Sequence, residues 1–262
     1  MGGGVRDSSL TRVRPTVRRL VAEDPTGANW LLPLMELGSR AKICRPPPQP
    51  GTLRSSPRFE YPCLAAEDLL IWLIENAPLL GQSALGKFKG APVTKNKRDA
   101  LLKGDPVVRK EARARLASHG RRPGRGQWQV LEGETKVDCA LFADNVTLFI
   151  EGKRTEPHLT DRVTWVPDRN QVLRNLDCLR VEAFRPAERY VLLVVEEGTK
   201  LVGEAIALDG GGATVDRALP HLADGPRQDL WSHYLGYTTW QAIQGRFQLD
   251  ALPDTTADLE AI

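Results

Sequence analysis

The chain has 262 residues, 41% of them hydrophobic, enough for one sizeable core and a small accessory lobe. No apolar run approaches the roughly 20 residues of a membrane span, residues 1–20 hold no apolar stretch of the kind a secretory leader needs, and the cysteines at 44, 63, 139 and 178 form no CxxC pair for a structural zinc. The net charge of +3 hides an uneven distribution: thirteen Lys or Arg face three acids between Lys87 and Arg125, and from Pro186 onward five basic residues face twelve acids. A basic stretch of this kind suits a polyanionic partner such as nucleic acid, a solvated basic face being the plain alternative. Thiols in apolar segments fit a reducing, cytoplasmic setting.

Taken in chain order, residues 1–60 read as a basic N-terminal arm followed by a Pro-rich loop. A helix is expected from about Thr16, a short one within 29–41 ends at Gly38, and "CRPPPQPGTLRSSPR" (44–58) cannot be regular structure. Residues 61–262 read as a single domain with a basic helical insertion at about 87–125. "CLAAEDLLIWLIENAP" (63–78) predicts a buried helix. "GDPVVRKEARARLASHG" (104–120) predicts a second, with Asp105 as N-cap, Pro106 at the first position, Gly120 past the end and a Glu111–Arg115 pair. Two β-rich runs then flank the turn pair Asp144-Asn145. A helix over 169–184, a buried strand over 189–198, a flexible Gly-rich connection at 209–216 and one or two helices over 229–247 complete the pattern. The order predicts an α/β fold, a central mixed β-sheet flanked by helices.

The hairpin carries the chemistry. With a two-residue turn, Ala143 pairs with Val146 and Asp138 falls opposite Glu151, their Cβ atoms about 4.5–5.5 Å apart. Two carboxylates so placed repel unless a cation lies between them, and Mg²⁺ takes one or two carboxylates together with water and phosphate oxygen. Lys153 follows on the same strand face, where an ammonium would orient or deprotonate a water, or stabilise charge growing on a phosphate. Lys136 would oppose Lys153, so two acids and two lysines neutralising one another is the structural alternative.

Asp138 at a strand end, a hairpin and then Glu151-Gly152-Lys153, read as "KVDCALFADNVTLFIEGK", resemble the PD-(D/E)XK nuclease superfamily, with Val137 where that family often has Pro. The resemblance spans about 63–195 and is specific over 134–175. It implies a restriction-endonuclease-like core, Mg²⁺ (or Mn²⁺ in its place) held by Asp138, Glu151 and the Gly152 carbonyl, Lys153 positioning water, and phosphodiester hydrolysis by an endonuclease. Gln171 matches the Gln many members carry on the next helix, where Asn175 shares its face. Members also often carry an acid on the helix before the hairpin. Of Glu60, Glu67 and Glu75, Glu67 is chosen because it lies between Ile71 and Ile74 on a helical wheel.

Arg121, Arg122, Arg125, Lys95, Lys97, Arg98 and Arg174 are the expected phosphate contacts, with DNA ahead of RNA as partner. A homodimer would suit cleavage of both strands. Trp165 is a candidate for base stacking. Restriction, antiphage defence and repair are all compatible roles. A non-cleaving nucleic-acid binder with the same fold is the first rival. A glycosidase fits poorly, since its two acids would flank an open sugar cleft.

Overall fold

The computed structural model describes residues 7–43, 46–80, 91–156, 158–159, 166, 168–181 and 188–252. Five strands form one mixed sheet in chain order: β1 (Arg58–Cys63), β2 (Thr135–Phe142), β3 (Val146–Lys153), β4 (Glu188–Val195) and β5 (Tyr234–Thr239). The first three pair antiparallel, and β3, β4 and β5 run parallel. Parallel neighbours need crossovers. Helix α6 (Gln171–Val181) joins β3 to β4, while α7 (Lys200–Asp209), α8 (Ala213–Ala218) and α9 (Asp224–Trp231) join β4 to β5.

These crossover helices cover one face of the sheet, where Phe149, Val191, Leu193 and Val195 meet Val172, Leu173 and Leu176. The opposite face, with Leu148, Ile150, Leu192 and Val194, is covered by α1 (Arg14–Glu23), α2 (Leu31–Glu36) and α10 (Trp240–Phe247). A strand covered on both sides reads as a continuous apolar run, which is why "YVLLVV" in β4 shows no alternation. Helices α3 (Glu67–Glu75), α4 (Pro92–Leu102) and α5 (Pro106–His119) pack around their own apolar cluster, so the basic insertion is a helical lobe. Helix α5 begins as its residues dictate: Asp105 accepts from the Val107 and Val108 N–H groups, Pro106 takes the first position, and the chain leaves through Gly120 at φ +69°.

Four expectations change. The helix expected from Cys63 starts at Glu67, because Arg58–Cys63 is edge strand β1, where Pro62 is tolerated. The segment 229–247 holds strand β5 between α9 and α10. Its outer edge is covered by Ser39 and Arg40, whose N–H groups bond to Tyr237 and Leu235 carbonyls, and Gly236 (φ +88°) lets that loop approach. The Gly-rich stretch 209–216, expected as a flexible connection, is partly helical: α7 ends at Asp209, α8 starts at Ala213, and only 210–212 lie between them. The expected boundary at 60/61 falls inside β1, and α1 and α2 from the arm bury Val17, Leu20, Leu31, Leu34 and Met35 against the sheet. No described helix is long and apolar enough to cross a membrane.

Candidate active site

The two-residue turn sets the hairpin as expected. The Ala143 N–H donates to the Val146 carbonyl, and Cys139 pairs with Ile150, which carries Asp138 opposite Glu151. The regular pairing stops at the Cys139–Ile150 rung. One rung further, the Gly152 N–H donates to Asp138 Oδ2 at 2.8 Å, a side chain standing in for a backbone acceptor. Gly152 is required by space: a Cβ there would lie 2.5 Å from Val13 Cγ2 and 2.9 Å from Trp240 Cζ2.

On β1 the pairs Phe59–Cys139 and Tyr61–Val137 place Glu60 opposite Asp138. Glu60 sits at φ +51°, a left-handed conformation uncommon for a residue with a Cβ. The two strands change face together there, Phe59 and Cys139 belonging to the α1 side of the sheet, Tyr61 and Val137 to the α6 side. Glu60, Asp138 and Glu151 thus form a row across three adjacent strands.

Glu151 is only 2% exposed. Its Oε1 is 3.0 Å from the Lys153 ammonium, and its Oε2 accepts from Asn175 Nδ2 at 3.0 Å. Burial raises the pKa of both acids. For Asp138 the next cause is the negative charge of Glu151, followed, in the other direction, by the Gly152 N–H that lowers it. For Glu151, Lys153 and then Asn175 pull the value back down. Burial alone would lower the Lys153 pKa, but Glu151 and Asp138 more than offset it and hold the ammonium above its ordinary value. The Oδ1 of Asp138 meets no donor among the described residues. Two adjacent carboxylates, Glu151 buried and Asp138 half-buried, are oxygen donors of the kind a hard cation such as Mg²⁺ or Mn²⁺ takes, with water completing its shell. Among the described residues no group of three or more His, Cys, Asp or Glu side chains converges as an all-protein metal cage.

The expected site residues divide. Asp138, Glu151, Gly152 and Lys153 come together. Gln171 does not join them: its amide donates to Thr135 Oγ1 at 2.6 Å and to the Lys136 carbonyl at 3.0 Å, clasping α6 to the start of β2. Glu67 is exposed in the first turn of α3, and the acid set against Asp138 is Glu60, whose carboxylate accepts from Ser9 Oγ at 2.6 Å. Lys136 is exposed on β2, where its register partner is Pro62.

The expected phosphate contacts divide as well. Arg122 and Arg125 are exposed. Arg121 reaches the Ala65 carbonyl, which docks their loop just past the end of β1. Lys97 pairs with Glu111, and Arg98 donates to the Trp128 and Val130 carbonyls, so these two hold the helical lobe together. Lys95 is half-buried on α4. Arg174 lies 3.6 Å from Glu132 and 3.4 Å from the Gln171 oxygen, tied within α6 and its neighbour. Trp165 lies outside the described residues.

Two features escaped the sequence reading. The first is a π-helical turn at Ser9–Val13 that crosses the site end of the sheet. Ser8 bonds Glu156, Ser9 bonds Glu60, and Arg12 and Arg154 both reach Glu196. The second is a buried charge network beneath α6: Arg169 forks onto Glu132, reaches Asp177 at 2.8 Å, and Asp177 in turn meets His221 and Arg180. Burial would raise the Asp177 pKa, but Arg169 above all, then His221 and Arg180, hold it well below the ordinary range. Comparison of the chain with protein-family models, with curated proteins and with solved structures returned no match.

Proposed function

We propose that the chain is a divalent-cation-dependent phosphodiester hydrolase, an endonuclease acting on nucleic acid, with DNA ahead of RNA. The observation that carries the reading is the carboxylate pair just past the last paired rung of the hairpin, Glu151 buried and Asp138 half-buried, with the Lys153 ammonium bound to Glu151. Two acids this close, one of them buried, are expensive, and perturbed carboxylates beside a charged partner mark functional sites. The resemblance to PD-(D/E)XK nucleases points the same way.

Asp138, through the oxygen that Gly152 leaves free, and Glu151 would hold the cation, with the Gly152 carbonyl as the further ligand that the resemblance implies. Bound there, Mg²⁺ would polarise a phosphate oxygen and acidify a water. The chain's own groups supply the remainder. Lys153, whose ammonium lies 3.0 Å from Glu151 Oε1, would donate to charge growing on the phosphate and orient the water. The Gly152 N–H fixes the Asp138 carboxylate, and the Asn175 amide fixes that of Glu151. Arg122 and Arg125, on the loop docked at the end of β1, hold backbone phosphates without reading sequence.

The test is a cleavage assay on supercoiled and linear DNA in Mg²⁺, Mn²⁺ or EDTA, with Asp138→Asn and Lys153→Ala beside the parent. Metal-dependent nicking lost in both folded variants is the expected result. A parent that binds DNA yet leaves it intact with either metal turns the assignment to a binding protein of the same fold.

A further inference from the structure

Asn175 is fully buried on α6 and donates from Nδ2 to Glu151 Oε2. Lys153 takes the other oxygen, so the Glu151 carboxylate is held from two directions, by a cation and by an amide. The amide can face it only one way, since the Asn175 carbonyl oxygen turned toward a carboxylate would be repelled. In the orientation present, Asn175 Oδ1 has no hydrogen-bond partner among the described residues. A buried unpaired acceptor costs about 1–3 kcal/mol. A leucine, which has the same branched side-chain shape, would avoid that cost if the position served packing alone. The neighbours on α6 that face the same cluster, Val172, Leu176 and Leu179, are apolar.

Gln171, one turn earlier, spends its amide on Thr135 and the Lys136 carbonyl. Of the two amides that i,i+4 spacing places on one helix face, the one nearer the helix middle reaches the acid, and the one at the helix start ties to β2.

We infer that Asn175 is the positioning residue of the cation site: it holds the Glu151 carboxylate in one rotamer, ready to share a cation with Asp138. This rests on the nuclease reading. A group that orients a metal-binding carboxylate commonly changes metal affinity 10–100-fold when removed.

Calorimetric titration with MnCl₂ tests it, using the parent, Asp138→Asn and Asn175→Leu, each shown folded by circular dichroism and thermal melting in EDTA. The parent binds Mn²⁺ and Asp138→Asn does not. Asn175→Leu weakens the Kd roughly 10–100-fold. Its Mg²⁺ requirement for half-maximal cleavage rises in step, while kcat at saturating Mg²⁺ falls much less. Folded Asn175→Leu with the parent's Mn²⁺ affinity overturns the inference and leaves the nuclease reading intact. A parent that binds no Mn²⁺ overturns both. Should Asn175→Leu not fold, Asn175→Ala, which leaves space instead of bulk, carries the same expectation and the same refutation.

Discussion

Asp138 accepts the Gly152 N–H in its side chain, so the first acid of the site is welded to the backbone between the second acid and the lysine. The substitution Asp138→Asn keeps that acceptor and discards the charge. The pKa of Asp138 is raised in the folded protein, by burial first and by Glu151 next. A group raised on folding contributes stability below its ordinary value of 3.8, and the contribution is lost as pH rises through the raised value. Asp138→Asn should therefore stabilise the cation-free protein at pH 8 by about 0.5–2 kcal/mol and lose that advantage toward pH 4. Urea unfolding in EDTA at the two pH values measures this. An Asp138→Asn protein no more stable than the parent at pH 8 would show that the acid pair is not strained.

Gly152 admits no side chain, since a Cβ would press on Val13 and Trp240 at once. Gly152→Ala should cost about 1–3 kcal/mol through displaced packing. It should also shift Asp138, so cation affinity falls together with the thermal midpoint. A stable Gly152→Ala protein with unaltered Mn²⁺ binding would refute the close approach.

The buried network beneath α6 predicts a different signature. Asp177 is held below its ordinary value by Arg169, so its contribution is present above about pH 3.8 and lost only as pH falls through the lowered value. Removing one partner leaves an uncompensated buried charge. Asp177→Asn or Glu132→Gln should cost about 3–5 kcal/mol at pH 7, readable as a fall in the urea midpoint. A loss under about 1 kcal/mol would mean that water reaches the network.

Exposed and engaged cations should separate in binding. Arg122→Ala and Arg125→Ala should each weaken DNA binding uniformly across sequences and reduce the log–log salt slope by about 1. Arg98→Ala should leave the slope unchanged and lower the thermal midpoint, because its guanidinium holds two carbonyls of the loop before β2. Filter binding across a salt series distinguishes the two classes.

The hairpin was legible in sequence because Asp144-Asn145 pins the register and a strand's period of two then fixes every partner. The acids and the lysine came with it. Glu60 was one of three candidate acids but was passed over for Glu67, since it stands opposite Asp138 only because β1 exists, and a strand with a proline and a left-handed residue mimics a loop. Glu67 attracted attention through a helical wheel, yet the helix begins at that very residue and leaves it in solvent. Spacing put Gln171 and Asn175 on one face, but the angle of α6 on the sheet decides which one touches Glu151. The charge network draws on Glu132, Arg169, Asp177 and His221, separations over which no local pattern operates.

The turn at Ser9–Val13 ties the two halves of the molecule in time as well as in space. Arg12 waits for Glu196, 184 positions later, and Ser9 for Glu60. During synthesis the early residues leave the ribosome long before β4 does. The growing polypeptide therefore carries Asp138, Glu151 and Lys153 for an interval without their closing brace. Contacts this remote raise the contact order, which goes with slower folding, and the brace from Arg12 to Glu196 can close only once the strand that follows α6 has emerged.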